Sequence, residues 1–331
     1  HMDFQREKQL AIQAVTQAAQ LCRAVRAEIA DVYSLQKDDR SPVTVADFGS
    51  QALVCQCLTK AFPHDVIVAE EGAAALQQPE NAALLRRVTH YVQRFHAKVT
   101  PETVCRWIDL GNGTVAKRFW TLDPIDGTKG FLRNEQYAIA LALVERGEVR
   151  VAVLGCPALL RDVNDPDSEP GVLFAAVRGR GAEMAPIGTS SFVPIHVTQE
   201  SDTTQFRFVE SVEVEHGDWA LQQVIAEAIG ITCPPLRMDS QAKYGAVARG
   251  DAALYLRLPS PKHADYREKI WDHAAGALIV EEAGGRVTDM RGQPLDFRSA
   301  FRMNHNRGVV ASNGQVHDAV LEALAHISRC G

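Results

Sequence analysis

The stretch that most constrains this chain is Trp120-Thr121-Leu122-Asp123-Pro124-Ile125-Asp126-Gly127-Thr128-Lys129-Gly130-Phe131. Residues 119–122 are aromatic and β-branched and read as a strand that Asp123 ends. Pro124 biases Asp123 toward extended backbone. Gly127 frees the next turn to present backbone N–H groups. Asp123, Asp126 and the Thr128 hydroxyl then place oxygens around a phosphate-sized gap. Hard cations such as Mg²⁺ bind oxygen, through a few carboxylates and substrate phosphate. Taken alone, the same residues also spell an Asp-Pro turn, so the rest of the chain decides.

At 331 residues there is material for about two domains. A chain that is 46% hydrophobic and 23% charged has a globular composition, neither disordered nor fibrous. A net charge of −6 offers no basic field to a nucleic-acid polymer. A phosphorylated substrate would need metals or placed cations. No apolar run reaches the ~18 residues of a membrane helix. His1-Met2 reads as a tag-cleavage remnant with no signal-peptide pattern behind it. A cytoplasmic location is the default expectation, and an organelle the alternative had a transit segment been removed. The 7 cysteines are scattered without C-x-x-C and read as mostly free thiols in a reducing compartment. Cys55-Gln56-Cys57 reads as helix packing in preference to a redox pair.

Residues 6–33 read as one amphipathic helix, with Ala11, Val15, Ala18, Cys22, Val25, Ile29 and Val32 at spacings of four and three. Thr44 caps a second helix to about residue 62, with Asp47 in its first turn, where dipole compensation is the plain explanation. Residues 66–69 form a strand ending in Glu70-Glu71-Gly72. Neighbours on a strand point to opposite sides, so Glu70 is taken to face a site and Glu71 to support it. Residues 81–95 read as a surface helix and 106–118 as a loop. Residues 137–145, a turn at Arg146-Gly147-Glu148 and residues 149–154 make a hairpin, which 172–177 and 192–197 extend. Polar residues 199–204 set a soft boundary. Residues 3–203 are assigned to an N-terminal α+β subdomain and 204–331 to a C-terminal α/β subdomain of alternating strands and helices.

Four separated segments carry a resemblance together: Ser41-Pro42-Val43-Thr44 with Asp47, Ala69-Glu70-Glu71, Asp123-Pro124-Ile125-Asp126-Gly127-Thr128, and Trp271-Asp272-His273-Ala274-Ala275-Gly276. In this order they resemble the lithium-sensitive, magnesium-dependent phosphatase superfamily that includes inositol monophosphatase. Lys129-Gly130-Phe131, Gly155-Cys156-Pro157, Asp239-Ser240-Gln241-Ala242-Lys243-Tyr244 and Tyr255-Leu256-Arg257-Leu258-Pro259 are similar to its 3′(2′),5′-bisphosphate nucleotidase branch. The run Tyr266-Arg267-Glu268-Lys269-Ile270-Trp271-Asp272-His273 resembles eukaryotic-type members closely.

The resemblance implies an α/β fold, a layered αβαβα sandwich of the sugar-phosphatase type with the site between two subdomains. It implies removal of the 3′-phosphate of 3′-phosphoadenosine 5′-phosphate to leave AMP, with the sulfated analogue and inositol 1,4-bisphosphate as further substrates. It implies up to three Mg²⁺: one on Glu70, Asp123 and the Ile125 carbonyl, a second on Asp123, Asp126 and Asp272, a third on Glu70 and Asp47. The physics agrees, since five crowded acids repel and take up protons unless cations neutralise them. Thr128 and Asp47 are then the water-activating dyad, beside Glu70, and the N–H groups of Gly127 and Thr128 hold phosphate. Lys243 and Arg257 become anion contacts and Ser240 a hydrogen-bonding contact. The plain alternatives are a solvated helix lysine and an edge-strand arginine. His216 is a further substrate contact, in a segment similar to the family's Val-Glu-x-x-His that departs at Gly217-Asp218. His273 reads as packing or hydrogen bonding at a helix start. Inhibition by Li⁺ and by Ca²⁺ is expected. The partner is a small nucleotide bisphosphate, with no nucleic-acid polymer and no membrane, and the assembly a monomer or homodimer. The alternatives are an inositol polyphosphate 1-phosphatase or inositol monophosphatase on the same metals, and an inactive nucleotide sensor, against which the full set of motif acids speaks.

Overall fold

The apolar run that includes residues 138–145 alternates poorly because both of its faces are buried. In the computed structural model, which describes residues 3–28, 34–35, 43–212 and 219–330, that run is a central strand of a mixed sheet. The chain enters through α1 (Gln5–Glu28), the short antiparallel pair β1 (Ser34–Leu35) and β2 (Val43–Thr44), and α2 (Val45–Ala61). β3 (Val66–Ala69), α3 (Ala82–Val92), α4 (Pro101–Asp109), β4 (Arg118–Asp126) and α5 (Thr128–Leu132) follow. β5 (Ala138–Glu145), β6 (Glu148–Leu160), β7 (Pro170–Val177), β8 (Ala182–Pro186) and β9 (Val193–Ile195) complete a sheet in the order of their numbers from β3 to β9. β3 and β4 pair in parallel and the remaining neighbours antiparallel.

The second half contributes β10 (Phe208–Glu210), α6 (Trp219–Ile229), β11 (Leu236–Arg237), α7 (Ala242–Ala248) and β12 (Leu254–Arg257). A 3-10 turn at Ile270–Asp272 leads into α8 (Ala274–Glu282), then β13 (Arg286–Thr288), β14 (Val309–Ser312) and α9 (His317–Cys330). Its sheet runs β11-β10-β12-β14-β13.

The layers follow from side-chain alternation. On β5, Ile139, Leu141 and Leu143 join the core that α1 and α2 cover, while Ala138, Ala140, Ala142 and Val144 join the one that α7 and α8 cover. On β12, Tyr255 faces α7 and α8, while Leu254 and Leu256 face the far core with α6 and α9. The stack is helices, sheet, helices, sheet, helices, an α/β fold with α7 and α8 as a middle layer touching both sheets. No helix among the described residues is long and apolar enough to cross a membrane.

Two expectations change. Residues 101–109 form α4, where a loop was expected to begin at 106: Pro101 occupies the first helical turn, and the Thr100 side chain caps it by accepting from the Thr103 N–H at 3.2 Å. The strand expected to end at Asp123 runs to Asp126 across a register shift against β5. Pro124 has no N–H for the ladder, so the irregularity falls where it does. The first helix is described to Glu28, and the rest of its predicted span, like Ser41 and Pro42, lies outside the described residues.

Candidate metal centre and anion cradle

The irregular end of β4 presents Asp123, which is buried, and Asp126, which is partly so. Ile125 sits between them with its side chain in the core. The first turn of α2, which carries the buried Asp47, is tied to this loop because the Ser50 hydroxyl donates to the Pro124 carbonyl at 2.8 Å. Glu70 follows β3, and its N–H donates to the Leu122 carbonyl at 3.3 Å. Gln51 clamps the next residue: its side chain accepts from the Glu71 N–H at 3.0 Å and donates to the Glu71 carbonyl at 2.6 Å. Asp272 ends the 3-10 turn before α8. Elements far apart in sequence thus bring oxygens from Asp123, Asp126 and Asp272 within 4.8 Å of one another.

Such crowding raises proton affinity. Burial pushes Asp123 well above the usual carboxylate range, and the charges of Glu70, Asp126 and Asp272 push it further. Burial and Asp272 raise Asp126 to about 6, although Lys243 and the Gln241 N–H pull it back. Burial raises Asp272, and Glu70 adds to the shift. Glu70 keeps an exposed surface, yet loss of water around its carboxyl and the charges of Glu71 and Asp126 move it upward too. The Asp123 Oδ1 atom is buried without a hydrogen-bond partner among the described residues. Several oxygen donors, excess negative charge and an unsatisfied acceptor suit a hard divalent cation, which relieves all three.

Gly127 follows at φ 85°, ψ 50°, the left-handed conformation that glycine adopts without strain. A Cβ there would stand 3.1 Å from the Gln136 carbonyl oxygen and 3.1 Å from the Ser240 Cβ, so the Asp-Gly-Thr turn lies directly against Ser240. Thr128 opens α5. Ser240 holds a positive φ of 72°, and its hydroxyl accepts from the Ala242 N–H at 3.1 Å.

Gln241 joins the two halves of the site. Its N–H donates to Asp126 Oδ2 at 2.7 Å, its side-chain amide donates to the Trp271 carbonyl at 2.8 Å, and its side-chain oxygen accepts from the Gly276 N–H at 3.3 Å.

Lys243 is buried, not solvated, and its Nζ donates to the Ser211 hydroxyl at 2.8 Å. Burial and the Arg257 charge lower it to about 8, against the pull of Asp126, Asp239 and Glu268. Arg257 lies on β12, the middle strand of its sheet, not an edge. Its Nε donates to Glu268 Oε1 at 2.6 Å. Burial opposes ionisation of Glu268, but Arg257 and His273 outweigh it and hold this carboxyl well below the usual range. His273 lies 2.5 Å from the Tyr244 hydroxyl through Nδ1, a hydrogen bond that reaches from the start of α8 to α7.

His216 lies outside the described residues. Reasoning from sequence did not single out Gln51, Gln241 or Glu268 as functional. Gln241 and Glu268 stood inside quoted motifs, so the signal was present; Gln51 had none beyond its place one helical turn after Asp47.

Residues 4–329 match the model of the inositol monophosphatase family. The chain is 43% identical to a protein named 3′(2′),5′-bisphosphate nucleotidase from Schizosaccharomyces pombe, over 99% of this chain and 97% of that one. It is 43% identical to a protein of the same name from Oryza sativa, over 94% and 91%. Among solved structures, an IMPase from Thermotoga maritima is similar with a TM-score of 0.66 at 22% identity, covering 96% of each chain. An inositol monophosphatase from Anabaena (Nostoc) is similar with a TM-score of 0.63 at 20% identity, covering 98% of this chain and 96% of that one.

Proposed function

This chain belongs to the inositol monophosphatase family, and on that premise we propose that it is a 3′(2′),5′-bisphosphate nucleotidase, a phosphomonoesterase that hydrolyses the 3′-phosphate of 3′-phosphoadenosine 5′-phosphate to AMP and phosphate. The sulfated analogue is a second substrate in the same reading. The observation that carries it is the pairing of an oxygen cluster with two cations: Asp126 feels the charges of both Lys243 and Arg257. One phosphate can react at the carboxylates while a second is held by the cations.

Mg²⁺ supplies charge neutralisation and an acidified water when bound. Glu70, Asp123 and the Ile125 carbonyl would hold one ion, Asp123, Asp126 and Asp272 a second, and Glu70 with Asp47 a third. Asp47 orients the Thr128 hydroxyl and accepts its proton while that hydroxyl takes one from the attacking water. The N–H groups of Gly127 and Thr128 hold the phosphate oxygens in flight. The new P–O bond forms to water and the old one to the 3′-oxygen breaks, that oxygen leaving as the hydroxyl of AMP with a proton taken from a second water, with no phosphoenzyme. Lys243, Arg257, Ser240 and His216 hold the remainder of the nucleotide. Residues 3–203 and 204–331 act as subdomains with the site between them, and Li⁺ and Ca²⁺ inhibit.

Phosphate release from 3′-phosphoadenosine 5′-phosphate and from inositol 1-phosphate, compared under Mg²⁺, tests this. The nucleotide is expected to be the better substrate, and faster turnover of inositol 1-phosphate overturns the assignment. In the same assay Asp126→Ala should cost more than the ~10–100-fold typical of losing a mere outer partner of a metal site.

A further inference from the structure

We infer that Glu268 is a positioning residue that aims Arg257 at the non-reacting phosphate of the substrate and keeps that cation in register with Asp272. This inference rests on the reading of Arg257 as an anion contact.

The geometry is specific. Glu268 is buried, and among the described residues its Oε1 takes only the Nε of Arg257, at 2.6 Å. Among the described residues neither terminal nitrogen of Arg257 makes a hydrogen bond. A guanidinium held at Nε and free at its fork is arranged to receive two oxygens of one anion. The other carboxylate oxygen of Glu268 lies 3.4 Å from the buried His273 Nε2. His273 in turn bonds Tyr244 through Nδ1 at 2.5 Å. Tyr244 is pinned edge-on against Tyr255 at 5.1 Å, and α8 passes so close that a Cβ on Gly276 would stand 2.1 Å from its ring. Arg257, Glu268, His273 and Tyr244 therefore form one chain of contacts from the strand that carries the cation to the residue following Asp272. A Glu in that place neutralises a half-buried guanidinium that would otherwise be drawn toward the acids at the metal centre.

The test is a double-mutant cycle read on two substrates, 3′-phosphoadenosine 5′-phosphate and adenosine 3′-phosphate, which lacks the second phosphate. Glu268→Ala should raise KM for the bisphosphate and lower its kcat/KM, relative to that for the monophosphate, by about tenfold. In an Arg257→Ala background the same substitution should add little to that ratio, because its effect passes through the arginine. Glu268→Gln keeps an acceptor for Nε and should recover part of the ratio. If Glu268→Ala fails to fold, Glu268→Gln carries the cycle, with a loss of about threefold in the native background and none beside Arg257→Ala. Equal losses on both substrates, or a full additional loss beside Arg257→Ala, make Glu268 merely structural and overturn the inference. A native enzyme that turns over the two substrates alike overturns the reading of Arg257, and this inference falls with it.

Discussion

Asp123, Asp126 and Asp272 present oxygens within 4.8 Å of one another, and without cations Asp126 and Asp272 make Asp123 harder to ionise, as Asp272 does Asp126. This has a consequence in pH. Asp126 is raised to about 6 in the folded protein, whereas an unperturbed Asp titrates near 3.9. Between those values the metal-free folded protein keeps a proton that the unfolded chain has released. Its stabilising contribution is complete below about pH 4 and is lost as pH rises through about 6. For Asp126 alone the swing is on the order of 3 kcal/mol. The gap in melting temperature between Mg²⁺-loaded and EDTA-treated protein should therefore widen from pH 4 to pH 7, because the ions bind the deprotonated carboxylates. A gap that stays constant over that range contradicts the account. Asp123 and Asp126 were legible in sequence because carboxylates beside Pro and Gly stand out against an apolar run, whereas Asp272, between Trp271 and His273, was reached only through the family resemblance. The motif around Gln241 was legible but its role was not, because that role is played by a backbone N–H and an amide, which no composition rule distinguishes from an ordinary helix start.

Helices α7 and α8 approach closely enough that only glycine fits at 276. A Cβ there would stand 2.1 Å from Tyr244 Cδ2 and 2.3 Å from its Cγ. The ring has little room to yield, since it is buried and bonded to His273. Gly276→Ala should lower unfolding free energy by about 1–3 kcal/mol, as overpacked cores do. Gly72→Ala, where the nearest atom is 3.5 Å away, is the control. Equal denaturation midpoints for the two variants would mean the contact is softer than drawn. Sequence marked long elements well: the hairpin of β5 and β6 and the helix 82–92 lie where apolar runs and turn residues put them. It missed β8, β11 and β13, whose two to five residues bury too little to leave a period. It missed α4 because Pro101 marks a helix start and a helix stop with the same letter.

At the scale of the whole molecule, the chain passes from one sheet to the other between β9 and β10. The middle layer was not legible, because an apolar helix does not announce which of two sheets it will touch. Here α7 and α8 touch both. A fragment of residues 3–203 would leave Ala138, Ala140, Ala142, Leu154 and Phe174 uncovered, since their cover comes from the second half. Made alone, it should bind an apolar dye and aggregate; a soluble monomer that unfolds cooperatively would refute this. The same arrangement imposes an order in time on a ribosome. β9 ends at Ile195 and α8 only at Glu282. At about 5–20 residues per second, the nascent chain waits on the order of ten seconds with one face of its larger sheet bare. For that interval it is a client for whatever shields unfinished proteins.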